Sequence, residues 1–459
     1  MIMKIPLVSS VRRVAAASAG AVLLCAALPA NAQITLADSN GWKVNMMGLL
    51  SVWTGQASWD TRVDPRFGDT KQDSFRVTTG FNPSKLEFVV VAPEVNGITV
   101  SSYTQFATSL QGFKSRRVGE QIEVRAMDIS VAGKFGNFQF GRSFAIFAGN
   151  SILADTGSMR GTGYMCTSPD GSGPNCGHIG TGYTWTDWTA GVRYSTPRGA
   201  SGFQFRVGLF DPIETAFGWP GGDPFVLGTS GFDGLPNGLF FNFSDIAGTA
   251  EIETSTPLIE AELSFNKAFG PGGANNILLW LNAMNQNLED LGTGSDTDIQ
   301  GLSFGGRLKV GRVGITANVE DTEGIAEGFM GFGVTCLQDP VTQANNQCAS
   351  VEGSQWYVNL DITAPSGNTV FGVSYGEGEE DGNSLTLPFP FGAGSGDVER
   401  DLLMVYIQHN VTPNLNVNAE FHTFERTTTG GATFSNIAPG LFPSQEDYSA
   451  FLLGGEFRF

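Results

Sequence analysis

Along the last twelve residues of the chain, 448–459, polar and apolar positions alternate. Counting back from the end, Phe459, Phe457, Gly455, Leu453 and Phe451 share one face, while Arg458, Glu456, Gly454, Leu452 and Ala450 share the other. A period of two is a strand, here with one oily side and one side able to meet water. A soluble chain that ended this way would leave a frayed, open edge, which a barrel removes by pairing its last strand with its first. The pattern also opens the chain after residue 40, with Val44, Met46, Gly48, Leu50 and Val52 on one face.

From there one unit repeats: strand, short turn, strand, long polar loop. Short turns are predicted at 93–97, 133–136, 197–202, 269–275, 311–314, 364–368 and 411–414. Alternation flanks many of them, as in Trp188, Ala190, Val192 and Tyr194, or Leu415, Val417, Ala419 and Phe421. Seven pairs plus a first and a last strand predict an all-β, transmembrane antiparallel β-barrel of about 16 strands. An even number brings both termini to the periplasmic side with the short turns. Eight external loops are then expected at 58–83, 108–121, 144–182, 211–249, 288–297, 321–353, 377–398 and 427–446. Some stretches resist the pattern. The alternation changes phase between Val124 and Met127, which a β-bulge explains, and 277–284 and 402–408 are too uniformly apolar to assign a face.

The amino end fits an exported chain. Lys4, Arg12 and Arg13 precede a mostly apolar run at 14–28, and Ala30-Asn31-Ala32 offers small residues for cleavage, so residues 1–32 read as a signal peptide and 33–459 as one barrel domain. Leu24 before Cys25 disfavours a lipoprotein signal. Without residues 1–32 the chain keeps 23 Lys and Arg against 45 Asp and Glu, about −22 in net charge. This excludes a nucleic-acid partner, which needs a basic surface, and leans a channel weakly toward cations. Charged residues are only 15% of the chain, while Gly (61) and Phe (35) are abundant, as suits a lipid-facing band joined by tight turns.

Four cysteines then remain, as Cys166/Cys176 and Cys336/Cys348, both pairs in external loops. An even count in an exported chain points to two local disulfides, the rival being a four-thiolate metal site whose usual close spacing is missing. Gly372-Val373-Ser374-Tyr375-Gly376 fits a nucleophile-elbow pattern but lies along a strand with no helix after it, so no enzyme is expected. Acidic runs such as 377–382 could hold divalent cations, although solvated loop faces explain them as well. Neither a metal nor a cofactor is expected.

Three internal stretches go beyond alternation: Pro83-Ser84-Lys85-Leu86-Glu87-Phe88; Arg125-Ala126-Met127-Asp128-Ile129 through Gly133-Lys134-Phe135-Gly136 to Phe140-Gly141-Arg142; and Val192-Arg193-Tyr194-Ser195-Thr196-Pro197. With the closing strand, these resemble the Gram-negative outer-membrane general porins. That resemblance implies a homotrimer in the outer membrane, in contact with lipid and lipopolysaccharide, that passes small hydrophilic solutes and ions by diffusion. A substrate-selective channel with a narrowed entrance is the alternative; an adhesin or an outer-membrane hydrolase is a more distant one. It also implies that the third external loop, here 143–182, folds into the lumen and sets its carboxylates against basic wall residues. By position these are Asp155 and Arg160 on the loop, Lys85 and Arg125 on the wall, Arg142 at the loop base and Arg193 nearer the periplasmic mouth.

Overall fold

The computed structural model describes residues 33–62, 69–108, 123–163, 175–213, 256–288, 297–326, 328–330, 334–338, 345–382, 386–387, 392–393, 397–429 and 445–459. The expected leader and Cys166 lie outside them. Eighteen strands form one antiparallel sheet: β1 (Ile34–Ser39), β2 (Trp42–Arg62), β3 (Asp69–Thr78), β4 (Ser84–Val91), β5 (Thr99–Thr108), β6 (Glu123–Gly133), β7 (Gly136–Phe144), β8 (Trp188–Ser195), β9 (Phe203–Phe210), β10 (Leu258–Phe269), β11 (Asn275–Leu288), β12 (Thr297–Val310), β13 (Val313–Glu323), β14 (Glu352–Thr363), β15 (Thr369–Asp381), β16 (Asp397–Asn410), β17 (Leu415–Thr429) and β18 (Gln445–Arg458).

The sheet closes on itself, with β18 paired to β2 from Leu49 opposite Arg458 to Arg62 opposite Gln445. Phe459 completes the seam by exchanging both backbone hydrogen bonds with Gly48. Two of the eighteen strands add no new wall position. β3 and β4 lie end to end along the same edge of β2, opposite residues 53–62 and 43–49, and β1 pairs only with the foot of β2, below β18. The barrel therefore has sixteen walls.

All seven predicted short turns join adjacent strands at one end. The first external loop is shorter than the 58–83 expected from sequence, because β2 continues to Arg62 and β3 begins at Asp69. Its polar composition hid a strand that rises beyond the oily band. Between β3 and β4, residues 79–83 leave the ladder and side chains stand in for it: Ser51 Oγ accepts from Gly80 N at 3.1 Å, and Thr79 Oγ1 and Ser84 Oγ donate to the Ser51 carbonyl at 3.3 and 3.2 Å. The phase change near Val124 is a bulge. Gln105 stands opposite Ala126 and Phe106 opposite Val124, so Arg125 is the extra residue.

Outward positions form the lipid-facing band: on β18, Phe451, Leu453 and Phe457 are 44–51% exposed while Ala450 and Leu452 point inward and are buried. The two uniformly apolar stretches now resolve. Leu279, Leu281, Val405 and Ile407 face out, whereas Trp280, Met284, Leu402, Met404 and Tyr406 face in and are buried. Their inward side is apolar because this part of the barrel interior is packed rather than filled with water. Among the described residues no helix is long and apolar enough to cross a membrane.

Candidate functional site

The segment between β7 and β8 folds into the barrel. Its neck is tied where Ala145 N donates to the Asp187 carbonyl at 3.0 Å. A short helix α1 (Gly149–Ala154) and a single 3₁₀ turn (Ser158–Arg160) follow. An irregular segment carries backbone N–H groups that need partners once water is excluded. The wall supplies them from buried glutamates. Glu260 on β10 accepts from the N–H groups of Ile146 and Phe147. Glu320 on β13 accepts from Thr184 N at 2.9 Å and from Gln355 Nε2 at 2.7 Å. Glu420 on β17 accepts from Thr162 N at 2.9 Å, Gly163 N at 2.8 Å and Thr162 Oγ1 at 2.9 Å.

Other anchors fill in the circumference between these clips. Tyr357 on β14 donates to the Ser151 carbonyl at 2.8 Å, and Gln408 on β16 donates to that of Thr156 at 2.9 Å. At the break between β3 and β4, Phe81 N donates to the Gly161 carbonyl at 2.9 Å. The Phe81 ring meets Trp185 edge to face, 6.3 Å between centroids.

The residues singled out from sequence separate into different surroundings. Asp155 is on this loop but fully buried; Oδ1 accepts from Ser158 N at 3.1 Å and Oδ2 from the Tyr183 hydroxyl at 2.8 Å, so it ties two limbs of the loop together. Lys85 is not opposite it. Its ammonium lies 3.3 Å from Glu87, which also accepts from Gln105 Nε2 at 2.7 Å and from Tyr103. Arg125, at the bulge, pairs with Glu123 at 2.7 Å. Arg142 is exposed and shares the outward face of β7 with Phe138 and Phe140, directly opposite the outward Met127; it does not line the lumen. Arg193 holds the loop neck, donating to Gln139 Oε1 at 2.7 Å and to the Phe144 carbonyl. Arg160 closes the 3₁₀ turn, its carbonyl taken by Asn418 Nδ2 at 3.0 Å.

Sequence reasoning missed Glu260, Glu320, Glu420, Arg307 and Arg458. The usable signal was a charged residue at an inward position of a strand, since such a group in a packed barrel needs a partner. It also missed a Ser–His contact: Ser374 Oγ lies 2.7 Å from His178 Nε2, both buried. Ser374 sits in mid-strand on β15 and not on a strand-to-helix turn, and Nδ1 of His178 faces Thr181 Oγ1 at 3.3 Å instead of a carboxylate. Burial holds the His178 imidazole below its ordinary range, with Asp155 and then Glu420 opposing.

The net negative charge has a place. Asp321, Glu323, Glu352, Glu379 and Asp381 occupy outward positions near the external ends of β13, β14 and β15, lining a groove of about 630 Å³ on the outer wall. Cys336 stands opposite Cys348 in the hairpin formed by Val334–Gln338 and Asn345–Ser350.

The family model of Gram-negative porins matches residues 15–429. No curated protein matches the chain. Among solved structures, the outer membrane channel DcaP of Acinetobacter baumannii superposes with a TM-score of 0.56 at 15% identity, covering 93% of this chain and 99% of that one. OmpF of Salmonella typhi, in complex with daunomycin, gives 0.52 at 11%, covering 92% and 99%. An anion-selective porin from Comamonas acidovorans gives 0.51 at 13%, covering 91% and 100%. These three likenesses show the fold.

Proposed function

Since the chain belongs to the Gram-negative porin family, we propose that it is an exported outer-membrane protein, cleaved after residue 32, that passes small hydrophilic solutes and ions by diffusion and performs no catalysis. The observation that carries this reading is a closed sixteen-walled barrel whose lumen is narrowed by the folded segment between β7 and β8. A barrel of this size is too wide for wall side chains alone to fill, and the wall glutamates hold the loop inside. The expected leader falls outside the described residues, and its motif alone supports cleavage. Trimer formation and contact with lipid and lipopolysaccharide rest on the family.

A substrate-selective channel is the second reading, favoured by the extent of the loop's anchorage, from β10 round to β17 and on to the break beside β2. Disulfides within Cys166/Cys176 and Cys336/Cys348 belong to the proposal. Support comes from Cys176, buried and bonded as a half-cystine, and from the facing positions of Cys336 and Cys348. The cation preference expected from net charge is left to the lumen charges, because much of the acidity described above faces outward.

Single-channel recording in planar bilayers tests the reading. Stepwise, ohmic insertions support a diffusion pore, and flux that saturates with one solute class supports the selective one. Purified protein that inserts without conductance would defeat both.

A further inference from the structure

We infer that the underside of the inner loop, facing the periplasmic mouth, carries a binding post for the oxyanion of a passing solute, a carboxylate or a phosphate, centred on Arg160 with Arg458 and Arg307 beside it. The inference rests on the channel reading and deepens it by naming a solute class.

The wall cations around Arg160 are ordered by the strand register. Lys85 on β4 and Arg458 on β18 both stand opposite Leu49, one on each side of β2, at inward positions of one row. Arg458 Nη2 pairs with Glu456 at 2.6 Å, and its buried Nε has no acceptor among the described residues. On the other flank, Arg307 on β12 donates to the Ala154 carbonyl at 3.1 Å and pairs with Asp361 at 3.0 Å. Each of the three wall cations thus has its own carboxylate: Glu87, Glu456 or Asp361.

Arg160 differs. Among the described residues its guanidinium makes neither an ion pair nor a hydrogen bond, although it is largely buried and its strongest charged neighbours are Arg458, Glu456 and Arg307 in that order. Burial, then those two like charges, pull its pKa down, with Glu456 opposing. A guanidinium does not relieve such strain by losing its proton. An incoming oxyanion relieves it, and a planar fork takes two oxygens at once. Arg458 Nε is a second donor left to fill. Among the described residues, Arg160, Arg458 and Arg307 share two carboxylates, Glu456 and Asp361, which leaves one positive charge uncompensated around Arg160 although the chain as a whole is strongly acidic. Charges in a confined, low-dielectric passage set ion preference more than distant ones do.

The test is a planar-bilayer recording of the full-length barrel under a potassium chloride gradient, with citrate and inorganic phosphate as separate blockers. The expected wild-type result is a reversal potential on the anion side and block by at least one of the two; the more potent one identifies the carboxylate or the phosphate source. Loss of one charge-assisted contact should weaken that block about tenfold or more in Arg160→Gln, with the reversal potential moving toward cations. Arg160→Lys should keep the reversal potential but lose part of the block, because an ammonium lacks the fork. A conducting wild-type channel that prefers cations and is blocked by neither anion would overturn the inference while the channel reading stands, even if the variants failed to insert. So would block and reversal potential left unchanged by Arg160→Gln. A wild-type protein without conductance would sink the channel reading instead.

Discussion

Replacing Glu420 by Gln tests whether the wall glutamates hold the loop in the lumen. The carboxylate accepts from Thr162 N, Gly163 N and Thr162 Oγ1 at 2.8–2.9 Å and from His422 Nδ1 at 2.9 Å, and is fully buried. The amide keeps the shape but turns one acceptor into a donor, so one buried N–H group loses its partner and faces another N–H. Losing a contact to a charged group costs roughly 1.5–3 kcal/mol, and a buried unsatisfied donor roughly 1–3 kcal/mol more. The docked state of residues 156–163 should therefore weaken by about 3–5 kcal/mol, a shift of about a hundredfold to several thousandfold in its docking equilibrium. Glu260 and Glu320 clip other parts of the loop, so the barrel and the loop neck should survive. Single-channel traces of Glu420→Gln should show excess open-channel noise and brief excursions to higher conductance. Traces matching the parent in step size and noise, from protein with the parent's heat-modifiable gel mobility, would refute the clip argument.

Gly48→Val should lower the yield of heat-modifiable, folded barrel, because a Cβ there runs into the Phe459 ring at the closing seam; a normal yield would mean that the seam tolerates displacement of Phe459. Arg142→Ala should leave single-channel conductance unchanged, since Arg142 faces outward with Phe138 and Phe140, and a changed step size would place it in the lumen after all. Lowering the pH should loosen the loop: burial depresses the docked His178 pKa below the free value near 6.5, so docking is favoured above about pH 6.5 and loses up to about 1.4 kcal/mol per pH unit as pH falls toward the depressed value. Around the imidazole stand Asp155, Thr181, Tyr357, Ser374 and Glu420, so the readout is open-channel noise between pH 7 and 5 compared with His178→Gln, in which the share of the pH response that belongs to this ring should be lost.

Much of the barrel was legible because lipid on one side and a polar interior on the other impose a period of two. The seven short turns, the closing strand and the bulge beside Val124 all follow from that rule. It failed where its premise failed. Residues 69–74 carry β3 beyond the oily band that Phe75 and Val77 still join, so it looked like loop, and 277–284 and 402–408 carry apolar side chains inward because the folded loop or inward side chains of neighbouring strands, not water, meet them. The site was less legible for a related reason. An acidic residue on an inward-folding loop suggested an exposed carboxylate facing basic walls, yet Asp155 spends both oxygens inside the loop and Lys85 is held by Glu87. Which donor meets which acceptor depends on the fold of an irregular segment, and no periodicity encodes that.

The distribution of carboxylates explains how a strongly acidic chain can still hold a locally positive passage. One set, including Asp321, Glu323, Glu352, Glu379 and Asp381, lies on the outer wall, separated from the lumen by the sheet and screened over about 8 Å at physiological salt. A second set, Glu260, Glu320 and Glu420, is spent on the N–H groups and hydroxyls of the loop. A third, Glu87, Glu456 and Asp361, is each matched to one wall cation. Asp155 is consumed within the loop itself. Holding irregular backbone in a lumen demands acceptors, and carboxylates supply them most strongly; the same demand removes them from the passage. What then faces a solute beneath the loop is set by the guanidinium that none of these carboxylates reaches, and Arg160 is placed there by the 3₁₀ turn that Asp155 begins.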